Sequence, residues 1–360
     1  MKSIAIDDCI MQKDTPVMSG TKMFDGMVSP INAEVIRRLE IVNYSVNTHF
    51  TTKDFGVFNV LNDNNEVSSA TKAVLNEDVL AFLTNDLFGI YRKEAAENNL
   101  VYIYPSYGTV SRFGLVQMAP SMDQIGILCK DINVGFEILE YISGNDPKDG
   151  VMFSDSSYIY AKDTQGICIS FDEYFLQHLN ETDRTFFRNI SSITNETNNA
   201  FSYFDKFKDV MYILCSAEFS HSINRYDGNR YGLRAISATN LEEIYISSRT
   251  EGFSLDTKLM GLVGTKVLSE GYYTNYYEKA MKLRHLIKEA FDFTSYDLIA
   301  IPTKISCDSY INSSLWAISP LCGFSSLTFS IEGIGIQLLA NAKNESALYT
   351  GYSNILSKYQ

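Results

Sequence analysis

Basic side chains are in short supply: 30 Lys and Arg stand against 43 Asp and Glu in 360 residues, a formal net charge of −13. A free-standing nucleic-acid binder needs a basic surface to displace counterions, so that class is excluded for the chain acting alone. An RNA held by another protein of a complex stays compatible with this charge. Histidine is scarce as well; the four present lack metal-ligand spacing, and no metal or cofactor is implied. The six cysteines (Cys9, Cys129, Cys168, Cys215, Cys307, Cys322) include no C-x-x-C pair, and in apolar contexts such as Tyr212-Ile-Leu-Cys215 they read as buried reduced thiols. No run of 18 apolar residues and no signal peptide is found, so the chain is expected in the cytoplasm or an organelle matrix, with no membrane contact. The sequons at Asn180, Asn189 and Asn195 then reflect only a composition rich in Asn, Ser and Thr.

What is there is enough apolar sequence, 45% of the chain, to bury a large core in one α/β domain or two smaller ones. Apolar runs alternate with amphipathic stretches, without repeats or low-complexity linkers. Ser3 to Ile6 reads as a buried strand, Asn32 to Leu39 as a helix, and Val101 to Tyr104 as a strand stopped by Pro105. Val134, Phe136, Ile138, Leu139 and Ile142 share one helical face. Tyr276, Ala280, Leu283, Ile287 and Phe291 do the same on a helix starting near Gly271, with Lys279, Lys282 and Lys288 outward. Asp297 to Ile301 follows as a strand running into Pro302, and the loop at its carboxyl end is where α/β proteins form pockets. Thr182 to Phe207, with Asn195, Asn198 and Asn199, reads as a surface helix with long loops.

Three blocks carry a resemblance. The first is Pro105-Ser-Tyr-Gly-Thr-Val-Ser-Arg-Phe-Gly-Leu-Val116, continuing through Ser121-Met-Asp-Gln-Ile-Gly126 to Ile142-Ser-Gly-Asn-Asp-Pro-Lys-Asp149. The second is Ser216-Ala-Glu218 with Asn224-Arg-Tyr-Asp-Gly-Asn-Arg-Tyr-Gly-Leu-Arg234. The third is Arg249-Thr-Glu-Gly-Phe253, then Gly264-Thr265, Leu268-Ser269, Gly271-Tyr272-Tyr273, Tyr276-Tyr277, Lys279-Ala280 and Tyr296-Asp297. Together they resemble the amidase-signature family, and the second block resembles its tRNA-dependent amidotransferase A-subunit branch. The match is strong over residues 101–300, while residues 1–100 are strongly diverged.

The resemblance implies a single α/β domain over residues 1–360 with a large, mixed, twisted central sheet covered by helices on both faces. It also implies that the helices such proteins carry ahead of the first strand are missing. Active relatives hydrolyse glutamine and pass ammonia to a B subunit that amidates Glu-tRNA(Gln) or Asp-tRNA(Asn), with a C subunit strapping the pair together.

Family chemistry needs a Ser nucleophile, a second Ser, and a Lys kept neutral by burial as the ultimate base. Glycine-rich turns converge backbone N–H groups on the oxyanion. The resemblance places Asp7 at the Lys position, in Ser3-Ile-Ala-Ile-Asp7-Asp8-Cys9. Val67 falls on the second Ser within Asn64-Asn65-Glu66-Val67-Ser68-Ser69-Ala70, where a two-residue slip would substitute Ser68 or Ser69. Ile90 falls on the nucleophile in Asp86-Leu-Phe-Gly89-Ile90-Tyr-Arg92, which keeps only Asp86, Gly89 and Arg92 of that motif. An Arg that holds the glutamine carboxylate in relatives is absent from Lys258-Leu-Met-Gly-Leu-Val-Gly-Thr265, and an Asp that grips the ammonium falls near Ser313. Because such groups act as a unit, losing even one removes most of the rate.

The expectation is therefore a catalytically inactive A-subunit-like protein serving as a scaffold or partner protein, touching tRNA only indirectly. The alternative is an active glutaminase supplying ammonia for Glu-tRNA(Gln) amidation with a relocated nucleophile; a decaying gene product is a third reading. Ser111, Asp123 and Gln124 read as structural polar residues. Cys9 is a poor nucleophile, because adjacent carboxylates raise a thiol pKa. Arg225, Tyr226, Asp227, Arg230, Tyr231 and Arg234 read either as a salt-bridge network or as a partner interface, for which Arg and Tyr are suited.

Overall fold

Apolar runs that can be buried on both sides become strands here. The computed structural model describes residues 2–51, 54–57, 66–155, 158–160, 166–195 and 199–359. Its described strands are β1 (Lys2–Asp7), β2 (Tyr44–Phe50), β3 (Ala81–Asn85), β4 (Val101–Tyr104), β5 (Ile125–Cys129), β6 (Ile169–Asp172), β7 (Ile193–Asn195), β8 (Leu298–Pro302), β9 (Ser325–Ile331) and β10 (Ile334–Ala340). They form one sheet in the order β2-β1-β3-β5-β4-β9-β10-β8-β6-β7. The two strands expected before Pro105 and at Pro302 are β4 and β8 of that sheet. Pairing is parallel among β1, β2 and β3 and among β6, β7 and β8, and antiparallel between these groups.

The period-2 alternation of side chains splits the core between the two faces. Phe82, Tyr102, Tyr104 and Leu128 point to the face covered by the Ser69–Leu75 and Ile90–Glu97 helices, with Ala70, Val74, Tyr91 and Ala95. Leu83, Ile103 and Ile127 point to the other, against Phe136, Ile138 and Leu139 of the Ile132–Ile142 helix. Asp131 caps that helix by accepting from Asn133 N–H. The mixed sheet with helices on both faces is thus present.

The helix expected from Gly271 begins later. A π-helical turn spans Tyr273–Tyr277 before the Glu278–Ala290 helix, which buries Ala280 and Ile287 and leaves Tyr276 exposed.

The reading of 182–207 as a surface helix with long loops is corrected. The Glu181–Ile190 helix buries Phe186, Phe187 and Ile190, the edge strand β7 follows, and Phe201, Phe204 and Phe207 join the core. Five aromatics separated by polar residues concealed a buried face. Asn198 lies outside the described residues.

Residues 105–149, the first of the blocks that carry the resemblance, are held by buried polar contacts. Arg112 makes a two-point ion pair with Asp149 (2.8 and 3.0 Å), Ser111 donates to Asp146 at 2.7 Å, and Glu345 accepts from Ser106 N–H at 2.9 Å. Asp123 accepts from the Met118 and Ala119 N–H groups and from Asn85, tying a loop to β3 as expected. Cys9, Cys129, Cys215 and Cys322 are buried, whereas Cys168 is half-buried and Cys307 is exposed. Among the described residues, no helix is long and apolar enough to cross a membrane.

Candidate functional site

Because β1 and β3 are parallel neighbours, their carboxyl ends meet at one edge of the sheet. Asp7 closes β1 there, and the Asp86–Arg92 turn leaves β3 beside it. Asp7 is 1% exposed. Its Oδ2 accepts from Thr84 Oγ1 at 2.7 Å and its Oδ1 from Cys9 N–H at 3.1 Å. Burial, and then the charge of neighbouring Asp8, push its pKa up to about 7. Burial together with Asp7 and Asp8 also pushes the Cys9 thiol well up, away from a reactive thiolate. The corner is acidic where the resemblance implies a neutral amine.

Asp86, Gly89 and Arg92, which the resemblance assigns to the nucleophile motif, build the turn. Asp86 caps the Ile90–Glu97 helix, accepting from Tyr91 N–H (3.1 Å) and Arg92 N–H (2.9 Å). Arg92 is fully buried, pairs with Asp86 at 3.2 Å, and donates to the carbonyls of Asp86, Leu87 and Trp316. Its guanidinium also lies over the Tyr104 and Trp316 rings, at 4.8 and 5.6 Å. Gly89 precedes the helix at φ +82°, a conformation that favours glycine. Ile90 is the first helical residue, half-buried.

Trp316, on the Ser309–Cys322 helix, covers this turn. A Cβ on Gly89 would lie 2.7 Å from Trp316 Cδ2 and closer still to Cγ. The indole is 5% exposed. Sequence reasoning passed over Trp316; its signal was that it is the chain's single Trp.

Asn64 and Asn65 lie outside the described residues. Val67 is half-buried and immediately precedes Ser68, which caps the Ser69–Leu75 helix by accepting from Thr71 N–H at 3.1 Å. Ser68 is itself held by Glu94, to which its hydroxyl donates at 2.7 Å and its N–H at 3.1 Å. Ser69 is the first residue of that helix and is exposed. On the Leu255–Val267 helix, Leu259 and Leu262 are exposed and Lys258 donates to the Thr250 carbonyl at 2.7 Å. Ser313 donates to the Tyr310 carbonyl within its own helix, at 2.6 Å.

The Arg225–Arg234 loop divides. Arg225, Arg230, Tyr231 and Arg234 are exposed, Asp227 is half-buried, and Tyr226 is buried. Tyr226 is therefore corrected from surface to support: it stacks on Phe55 at 5.4 Å and meets Phe24 edge-on at 5.0 Å. Arg230 pairs with Asp227 at 3.2 Å and donates to the Arg225 carbonyl, as does Tyr231 at 3.0 Å; Arg234 reaches Asn229 at 3.5 Å. The loop is thus a local network with an exposed arginine-rich outer side. His221 and His285 are exposed, and the described residues contain no cluster suited to a metal ion.

The amidase family profile matches residues 92–307. The A subunit of glutamyl-tRNA(Gln) amidotransferase from Lachnoclostridium phytofermentans is 32% identical over 343 residues, covering 87% of this chain and 69% of that protein. Its namesake from Wolinella succinogenes is 30% identical over 397 residues, covering 97% and 87%. The crystal structure of the corresponding Thermotoga maritima protein matches with a TM-score of 0.71 at 20% identity, covering 97% of this chain and 81% of that one, a likeness of fold. On these matches and the mixed sheet, the chain belongs to the amidase-signature family and is similar to the A subunit of glutamyl-tRNA(Gln) amidotransferase.

Proposed function

We propose that this chain is a non-catalytic A-subunit-like protein that serves as a scaffold or partner protein in a tRNA-dependent amidotransferase-type assembly. The observation that carries this reading is the turn at Gly89, buried against Trp316 and followed by the half-buried, aliphatic Ile90. An indole packs directly on Gly89, and an aliphatic side chain stands at position 90, where the resemblance puts the attacking hydroxyl. Asp7 adds to it: a carboxyl whose pKa lies near 7 cannot replace a neutral amine, and when ionised it would repel a substrate carboxylate. The raised thiol pKa of Cys9 argues against a relocated nucleophile there, and Ser68 serves to cap the Ser69–Leu75 helix.

The partners proposed are B-type and C-type subunits, with tRNA reached only through them. The exposed side of the Arg225–Arg234 loop is the candidate contact. Two measurements test the reading on the purified chain: ammonia released from glutamine or asparagine, and binding to purified B and C subunits. No ammonia above the buffer blank together with binding is the expected result. Turnover that survives repurification and disappears with Cys9→Ala or Ser68→Ala would restore the enzyme reading.

A further inference from the structure

On the Leu255–Val267 helix, Leu255, Leu259 and Leu262 are 67%, 43% and 67% exposed. Their spacing of i, i+4 and i+7 sets all three on one face of the helix. The opposite face is already used, since Thr257, Met260, Gly261, Gly264 and Val267 are buried. Gly264 lies so close to the Phe204–Ser222 helix that a Cβ there would overlap the Ser216 carbonyl. Single exposed leucines are ordinary, but an aligned apolar surface marks an interaction site.

Lys266 follows Leu262 by four residues, continues the same face and is exposed. Its ammonium lies 3.8 Å from the centre of the Tyr272 ring, and Tyr272 stacks on Tyr276 at 5.8 Å. Both tyrosines are exposed, at the π-helical turn Tyr273–Tyr277. The leucine stripe therefore runs directly into a cation–π stack. Local charge there is opposite to that of the chain, whose net charge is −13. Within residues 266–288, Lys266, Lys279, Lys282 and Lys288 are exposed, and Glu270 is the single exposed acid. None of these four lysines pairs with a carboxylate among the described residues.

We infer that this stripe docks an amphipathic helix of a partner protein, which lays leucine-type side chains on Leu255, Leu259 and Leu262 and brings carboxylates to the end that meets Lys266. Anchors at i, i+4 and i+7 are the usual register of helix recognition, and residues 255–266 span roughly 16 Å at 1.5 Å per residue, about three turns. Charge selects this occupant. A second copy would bring another net charge of −13 against the first. RNA phosphates would use the lysines and leave the leucines in water. An anionic lipid surface would meet Asp256, beside Leu255, and Glu270 as well as the lysines, whereas a helix can carry its carboxylates at one end only. The inference adds a second surface to the Arg225–Arg234 loop and does not rest on the scaffold reading.

The probe is a fluorescein-labelled peptide of two heptads with Leu at the a and d positions, Glu elsewhere in the first heptad and Gln elsewhere in the second. Its twin carries Lys in place of Glu. The full chain is titrated into each and anisotropy is read. The expected result is saturable binding of the Glu peptide, weakened by salt, and none of the Lys twin. Leu259→Gln and Leu262→Gln should each weaken binding about tenfold, the scale of one leucine returned to water. Lys266→Gln should weaken it several-fold, and Arg230→Ala should leave it unchanged. All four positions are exposed, so circular dichroism should show every variant folded. Absence of saturation, equal binding of the Lys twin, or binding that survives both leucine substitutions overturns the inference. A loss with Arg230→Ala as large as that with Leu262→Gln places the peptide at the loop and overturns it too. So does binding of phosphatidylserine vesicles or poly(U) RNA, or a dimer in sedimentation, that Leu259→Gln abolishes, because each gives the stripe to a different occupant.

Discussion

Trp316 rests directly on Gly89, so closely that a single Cβ added to the glycine would overlap the indole. The turn to which the resemblance assigns the nucleophile packs here against an indole. Gly89 keeps its left-handed φ of +82°, and Asp86 and Arg92 still cap and brace the helix behind it. The turn is thus braced from behind by Asp86 and Arg92 and packed against Trp316 at Gly89.

Gly89→Ala should therefore be costly. A left-handed backbone penalises Ala by roughly 1 kcal/mol, and overpacking adds about 1–3 kcal/mol, so a loss of about 2–4 kcal/mol is expected in urea denaturation. Trp316→Ala in the same chain should recover part of it, since the two residues touch and their effects are not additive. A Gly89→Ala protein as stable as the parent would show that the indole does not sit on the turn.

Ile90→Ser alone should leave ammonia release from glutamine at the buffer blank. The new hydroxyl has no neutral amine at position 7 to take its proton. Glutaminase activity in this single variant would mean that the family positions are misassigned.

Asp7 makes stability depend on pH in a direction unusual for a carboxylate. Its pKa rises from 3.8 to about 7 on folding, so the folded state binds the proton more tightly. That contribution is complete below about pH 4, declines as pH rises through the window from about 4 to about 7, and is flat above it. Asp7→Asn keeps an oxygen that can accept from Thr84 and has no charge to bury. Relative to the parent, it should gain on the order of 1 kcal/mol or more at pH 8 and little at pH 4. A gain of the same size at both values, read by chemical denaturation, would show that Asp7 does not titrate in this window.

Arg230→Ala or Tyr231→Ala should weaken binding to a B-type subunit by about 2 kcal/mol, roughly thirtyfold, while circular dichroism stays unchanged. The exposed Arg230–Asp227 pair itself contributes little to stability. Tyr226→Ala should behave differently and unfold the region, because its ring is stacked against Phe55. If Arg230→Ala also unfolds the chain and no binding is ever measured, the loop is structural only.

How far the sequence could be read followed from how local each signal was. β4 and β8 were legible because a continuous apolar run ending at Pro is a short-range pattern. The Ile132–Ile142 helix was legible from its 3.6-residue spacing. The segment from 182 to 207 was misread because its five buried phenylalanines belong to separate short elements, so no one window carried their period. Its burial is decided by neighbours far along the chain: Phe201 packs on Phe291, and Phe186 on Tyr359.

The same division holds for the site. Sequence by itself determined the chemistry of the side chains that the resemblance assigns to the family positions: Ile90 has no lone pair with which to attack and Asp7 is no amine, since lone pairs and proton affinity belong to the residue. The resemblance likewise assigns Asp86, Gly89 and Arg92 to the nucleophile motif. Only the tertiary structure decided what those residues do. Residues 89 and 316 are distant in sequence, and no local pattern predicts that an indole will fill the space above a glycine. Burial moves the Asp7 pKa, and burial is a property of everything packed around the group.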